Sequence, residues 1–204
     1  MTIHRLAPNE LRVLGCLIEK QRTTPEQYPL TLNALRLACN QATNREPVME
    51  LDESEVRAVV QHLGTLGWAR LATGPGSRTA KYRQLFGDAL DLLPSEVSIM
   101  AVLMLRGPQT VPQLKTRTER MHHFAANDDV TQTLQRLDAK ELVHLLGKQP
   151  GQREERWTHL LAEAPREEQH EAAAVEAAPA EPTSVLERLE ARVLELERRL
   201  NETR

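Results

Sequence analysis

The chain has 204 residues, 40% of them hydrophobic but only 3% aromatic, and its formal net charge at pH 7 is −3. That length suits two small cores plus a tail, while the near-neutral balance excludes a general polycation and the scarcity of aromatics argues against a stacking platform for single strands. Charge is uneven along the chain: residues 1–86 carry 11 Lys/Arg against 8 Asp/Glu, residues 87–161 carry 9 against 10, and residues 162–204 carry 6 against 11.

The first predicted element is a helix from Pro8 to Lys20, with the apolar stripe Leu11, Leu14, Leu17 and Ile18. Pro8 sits early, where its missing N–H costs nothing. Thr23 to Pro29 reads as a loop fixed by two prolines. A second helix is expected from Thr31 to Gln41, burying Leu32, Leu35 and Cys39, and then a long polar loop from Ala42 to Leu51. Asp52-Glu53-Ser54-Glu55 forms a capping pattern, because an acidic residue three places after the cap can return a hydrogen bond to it. The third helix follows, with Val56, Val59, Val60, Leu63 and Leu66 on its core face, and Gly67 ends it. Trp68 to Thr73 and Arg78 to Leu85 read as two strands around a Gly74-Pro75-Gly76 turn.

The same order then recurs. Leu92-Leu93-Pro94-Ser95-Glu96-Val97 echoes Leu6-Ala7-Pro8-Asn9-Glu10-Leu11, and Pro150-Gly151-Gln152-Arg153 echoes Pro75-Gly76-Ser77-Arg78. Gly87 to Asp91 is read as a short link. Helices are expected from Pro94 to Leu105, from near Pro112 with Leu114 and Met121, and after Asn127-Asp128-Asp129. Strands at Leu142 to Leu146 and Arg153 to Leu160 complete the repeat. Helix, helix, helix, hairpin is the winged form of the helix-turn-helix. The expected fold is therefore mostly α with small β-hairpins, an α+β class, as two tandem winged-helix domains over residues 1–86 and 87–161.

Residues 162–182 are rich in Ala, Glu and Pro and read as a flexible acidic linker. Residues 183–204 read as a coiled-coil-like helix, with Leu186, Leu189, Val193, Leu196 and Leu200 recurring at spacings of 3 and 4. So short a seam needs a partner surface, and a homodimer through residues 184–200 is one candidate. Docking back onto the chain's own domains is the other.

The stretch from Glu19 to Leu30 (Glu-Lys-Gln-Arg-Thr-Thr-Pro-Glu-Gln-Tyr-Pro-Leu), with Asn33 and Ala38-Cys39-Asn40-Gln41-Ala42-Thr43-Asn44-Arg45-Glu46-Pro47-Val48, closely resembles the YceH-like family of uncharacterised bacterial proteins. Gly74-Pro75-Gly76-Ser77-Arg78 with Lys81-Tyr82 fits it, as does Leu105-Arg106-Gly107-Pro108-Gln109-Thr110 with Arg117, Arg120-Met121 and Phe124. The resemblance covers residues 6–161 and a C-terminal coiled segment. It implies tandem winged-helix domains and brings no settled activity. Gln84 stands where the resemblance leads one to expect His, and no role is attached to it.

In a winged helix the third helix enters the major groove and the wing touches phosphates. The wing candidates are Arg78, Lys81 and Arg83 in the first copy, and Lys148, Arg153 and Arg156 in the second. The exposed helix candidates are Arg57, Gln61 and His62 in the first copy, and Gln132, Gln135 and Arg136 in the second, with Arg57, Gln61 and Arg136 preferred. Asp52, Glu53, Glu55, Asp128 and Asp129 suit helix N-termini electrostatically but would repel phosphates there. Asn33, Asn40, Gln41 and Asn44 more readily satisfy backbone groups of the long loop. Arg45, a loop arginine beside Pro47 with no evident structural need, is the preferred base or phosphate contact of that group. Tyr28, Trp68, Tyr82 and Trp157 are expected to fill cores, and Cys16 and Cys39 to be buried reduced thiols.

No nucleophile elbow, phosphate-cradling glycine loop or metal-ligand spacing is present, so neither an enzyme nor a cofactor is expected. No apolar run could span a bilayer, and Met1-Thr2-Ile3-His4-Arg5 turns polar at once, so no membrane segment or leader is expected and the location is expected to be cytoplasmic. The leading expectation is a double-stranded DNA-binding protein of a regulatory kind. The alternative is a protein–protein interaction module built on the same domains with no DNA binding.

Overall fold

A computed structural model describes residues 4–72, 79–147 and 154–162. The chain divides into two units, Met1–Ala164 and Pro165–Arg204. The second unit, which holds the coiled segment 183–204 and most of the linker 162–182, lies outside the described residues.

Helix α1 (Pro8–Thr23) starts as its sequence dictates. Pro8 occupies the first turn, and the Glu10 carboxylate accepts the Ala7 N–H at 2.9 Å. A 3-10 turn at Pro25–Gln27 leads to the short strand β1 (Leu30–Thr31). The Thr31 hydroxyl accepts the Ala34 N–H at 3.2 Å and so caps α2 (Leu32–Cys39). After the long loop comes α3 (Glu53–Thr65), where Asp52 accepts the Glu55 N–H at 2.8 Å and Glu55 accepts the Asp52 N–H at 2.7 Å. This is the reciprocal capping expected from that tetrapeptide. Gly67, at φ +74°, takes the left-handed conformation that ends the helix. Strands β2 (Ala69–Leu71) and β3 (Lys81–Gln84) pair antiparallel, and β1 adds to the other edge of β3.

The segment expected as a plain link carries a short helix, α4 (Phe86–Ala89). The reason is burial: Phe86 is fully enclosed, edge-on to Trp68 with ring centroids 5.2 Å apart. Then follow α5 (Pro94–Arg106), α6 (Val111–Thr118), α7 (Asn127–Ala139), β4 (Val143–Leu146) and β5 (Arg156–His159). Met121, expected on the second helix of this half, lies beyond the end of α6.

The repetition runs deeper than the sequence markers. Glu96 accepts the Leu93 N–H at 2.9 Å, as Glu10 does for Ala7. Thr110 caps α6 as Thr31 caps α2. Gln109 bridges Trp157 where, in the first half, Leu30 pairs with Tyr82. The fold is thus α+β, mostly helical with small antiparallel sheets.

Both halves share one continuous core. Residues 11–18 of α1 are all buried, and so are residues 96–105 of α5. Gly15 faces α5 so closely that a Cβ there would stand 2.9 Å from Leu105 Cγ and Cδ2. The ends are clasped as well, since the Leu6 N–H donates to the Leu161 carbonyl at 2.7 Å. Trp68 is buried, and Tyr28, Tyr82 and Trp157 pack against the core, as expected of aromatics here. Cys16 and Cys39 are free and buried. Gln84 has a structural role after all: its backbone N–H donates to the Tyr28 hydroxyl at 2.6 Å, and its side-chain amide donates to Gln21 of α1 at 2.6 Å.

Gly15→Val should destabilise the fold by about 1–3 kcal/mol through overpacking against Leu105, read as a lower urea midpoint at unchanged slope. A second expectation concerns His159 on β5, whose Nδ1 is buried without a partner and whose pKa burial pushes down from 6.5 to about 4. The unfolded chain binds this proton below pH 6.5 and the native one does not, so stability falls as pH drops from 6.5 towards 4. Urea midpoints across that window should show His159→Gln removing ~3 kcal/mol of the acid-side loss.

Candidate nucleic-acid interface

The predicted wing cations fall on or beside the hairpins. Lys81 and Arg83 lie on β3 and Arg156 opens β5. All three are half-buried, and none has a carboxylate partner among the described residues. Arg83 Nε is buried with no hydrogen-bond partner, and Arg156 donates to the Pro108 carbonyl at 3.2 Å. Arg78, Lys148 and Arg153 lie outside the described residues.

The helix candidates are mostly committed elsewhere. Arg57 is exposed but pairs with Glu53 at 2.8 Å, one turn away on α3. Arg136 of α7 reaches Glu96 at 3.3 Å and donates to the Thr133 hydroxyl at 2.8 Å. Glu96 is 1% exposed. Burial works against its charge, but the Leu93 N–H, Lys140 and Arg136 outweigh it and hold the carboxyl below the usual range. Arg136 therefore ties α7 to α5. Gln61 remains exposed on α3.

Arg45 requires a correction. Far from lacking a structural need, its side chain is fully buried. It forms a two-pronged pair with Glu19 of α1, at 2.6 and 3.1 Å, and also donates to the Ala38 carbonyl at 3.1 Å. The physical reason is the loop it stands in. Residues 40–51 leave the end of α2 and must satisfy their backbone without a strand or helix. Arg12, 1% exposed in mid-α1, donates to the carbonyls of Cys39 (3.0 Å) and Pro47. Asn40 brackets Leu51 like a strand partner, accepting its N–H at 2.9 Å and donating to its carbonyl at 2.8 Å. Two guanidinium groups on the last carbonyls of α2 also complement the negative end of that helix. Gln41 and Asn44 accept from Arg45 and Arg106, so the amide-rich cluster is largely scaffold. Asn33, exposed on α2, accepts from Arg36.

Sequence reading missed a second group of cations. Arg106, at the end of α5, and Arg117, on α6, line a cleft together with Arg156. Arg106 and Arg117 stood in the segments that carry the family resemblance, but no spacing rule brings an α5 terminus, an α6 face and a β5 start together.

These features define a class: an α+β protein, mostly helical with small antiparallel sheets on one core, with cations that lack carboxylate partners among the described residues on its hairpin strands and in the cleft beside the loop 40–51. Residues 6–152 match the family model described as "Protein of unknown function, DUF480". A UPF0502 protein of Pseudomonas fluorescens SBW25 is 47% identical over 201 residues, covering 96% of this chain and 92% of the relative. The UPF0502 protein YceH of Salmonella newport SL254 is 43% identical over 206 residues, covering 97% and 95%. The chain belongs to this YceH-like family of uncharacterised proteins. Among the described residues, no helix is long and apolar enough to cross a membrane.

Arg45→Ala should cost roughly 3–5 kcal/mol by leaving Glu19 and the Ala38 carbonyl without their buried partner. Thermal melts of the two proteins would check this, and a change below about 0.5 kcal/mol would match an exposed contact residue instead.

Proposed function

We propose that the protein is a non-enzymatic, cytoplasmic double-stranded DNA-binding protein of a regulatory kind, built from two tandem winged-helix domains over residues 1–86 and 87–161. The observation that carries this reading is the contrast between paired and unpaired cations. Lys81, Arg83 and Arg156, on or opening hairpin strands, have no carboxylate partner among the described residues, whereas the third-helix arginines Arg57 and Arg136 are paired. Cations left without carboxylate partners on a wing suit phosphate contact. The wings lead and the third helices read little, so binding is dominated by backbone charge and depends steeply on salt. Arg78, Lys148 and Arg153, which adjoin these strands in sequence and lie outside the described residues, would add to the same contact, and a dimer through residues 184–200 would double the contact area.

The exposed acidic starts of α3 (Asp52, Glu53, Glu55) and α7 (Asp128) favour a second reading, a protein-interaction module that avoids DNA. Fluorescence anisotropy on random duplex DNA across a salt series separates the two. The first reading expects log-affinity to fall linearly with log-salt, and Arg78→Ala/Lys81→Ala to reduce the slope by about 2. No binding at low salt would remove it in favour of the second.

A further inference from the structure

We propose that the cleft between the loop 40–51 and the α5–α6–β5 side of the second half is a binding site for a compact anion carrying two or more phosphate groups. The cavity measures about 470 Å³, within the range of small-molecule sites. Four arginines line it against one glutamate, Glu46. Arg45 is neutralised by Glu19, which leaves Arg106, Arg117 and Arg156 without a carboxylate partner.

The three are nevertheless held in place. Arg106 donates to Asn44 Oδ1, Arg117 to Gln109 Oε1 and Arg156 to the Pro108 carbonyl. Each acceptor is neutral, so it orients a guanidinium without cancelling its charge. Gln109 is itself locked: 2% exposed, it gives its amide nitrogen to the carbonyls of Arg106, Gly107 and Pro108 at 2.9–3.1 Å. That leaves its oxygen facing Arg117. The Gln109–Trp157 backbone pair, at 2.8 and 2.9 Å, fixes the start of β5 and with it Arg156. Preorganised forks of this type match phosphate oxygens in pairs. The Arg106 guanidinium is burdened first by burial and then by the like charge of Arg117, a repulsion that a bound anion relieves. A neighbouring cavity of about 760 Å³ shares Asn44, Arg106 and Arg117 and adds Arg120 together with Glu19 and Lys20, which pair with each other at 3.7 Å, so Arg120 is the cation it offers a second phosphate beyond the first. Such a ligand would bridge the first half's loop to the second half's helix and strand.

The test is isothermal titration of the full chain with inorganic tripolyphosphate, beside anisotropy on a short duplex. One saturable site per chain is expected, weakened at least about ten-fold in Arg106→Gln and in Arg117→Gln. Arg117→Lys should retain part of the affinity, and Arg57→Gln, on α3, should bind as the parent does. A melt of each variant without ligand shows which are folded, and Arg117→Lys serves if a glutamine variant is not. Loss of tripolyphosphate binding with duplex binding intact supports the proposal. No saturable binding up to ~1 mM, equal loss in Arg57→Gln, or cleft variants that weaken only duplex binding would overturn it, the last by assigning these arginines to the DNA surface. The wing residues Arg78 and Lys81 are untouched by these variants, so this proposal and the DNA-binding one fail separately.

Discussion

The contact of α1 with α5 is the constraint from which the rest of the molecule follows. Each is the first helix of its half, and each is buried along most of its length. They lie so close at Gly15 that glycine's missing side chain is a geometric requirement there. Helices cannot approach this nearly through larger residues, because side-chain bulk sets the interaxial distance. Once the two helices are in register, the loop after α2 lies against the end of α5, where the Glu46 N–H meets the Leu105 carbonyl at 2.8 Å. The cleft arginines are then opposite the loop that orients one of them.

That loop shows how a polar segment can be held on a small core. Burying an arginine is costly unless every donor finds an acceptor. Arg45 meets the requirement through Glu19 and the α2 terminus. Arg12 meets it only in part, through carbonyls alone and with its Nε unsatisfied, and burial lowers its pKa without neutralising so strong a base. The lattice therefore trades hydration for backbone order: the arginines stand in for the strand or helix that residues 40–51 lack.

Across the described residues, the basic side chains sort into two populations. Lys20, Arg45, Arg57, Arg136 and Lys140 have carboxylates and hold the fold or its surface. Lys81, Arg83, Arg106, Arg117 and Arg156 have none, and the last three are oriented by neutral oxygens. Net charge conceals this division, because residues 162–204 alone carry 6 Lys/Arg against 11 Asp/Glu, while in the rest of the chain several carboxylates, among them Glu10, Glu19, Asp52 and Glu96, serve as caps or pair partners. A chain of net charge −3 can in this way present local positive surfaces.

Much of the fold was legible in the sequence because local rules decide it. The Asp52 cap, the prolines opening α1 and α5 and Gly67 after α3 all act within a few residues. The matching starts of α1 and α5 were legible too, since local signals need no knowledge of packing. The third strand of the first sheet was not: Leu30–Thr31 is too short to carry a period of two, and only pairing with Tyr82 and Lys81 makes it a strand. Nor was the burial of Arg12, a charge on the core face of a helix whose neighbours gave the apolar stripe. Arg45 looked free because its partner, Glu19, is 26 residues away, and the cleft drew Arg106, Arg117 and Arg156 from three separate elements. By itself the sequence determined most of the elements and their order, β1 and α4 excepted, because these depend on backbone preferences and apolar spacing, and its quoted segments carried the family resemblance. Only the tertiary structure decided which charges are spent and which are available, because an ion pair is set by distance in space and not by separation along the chain.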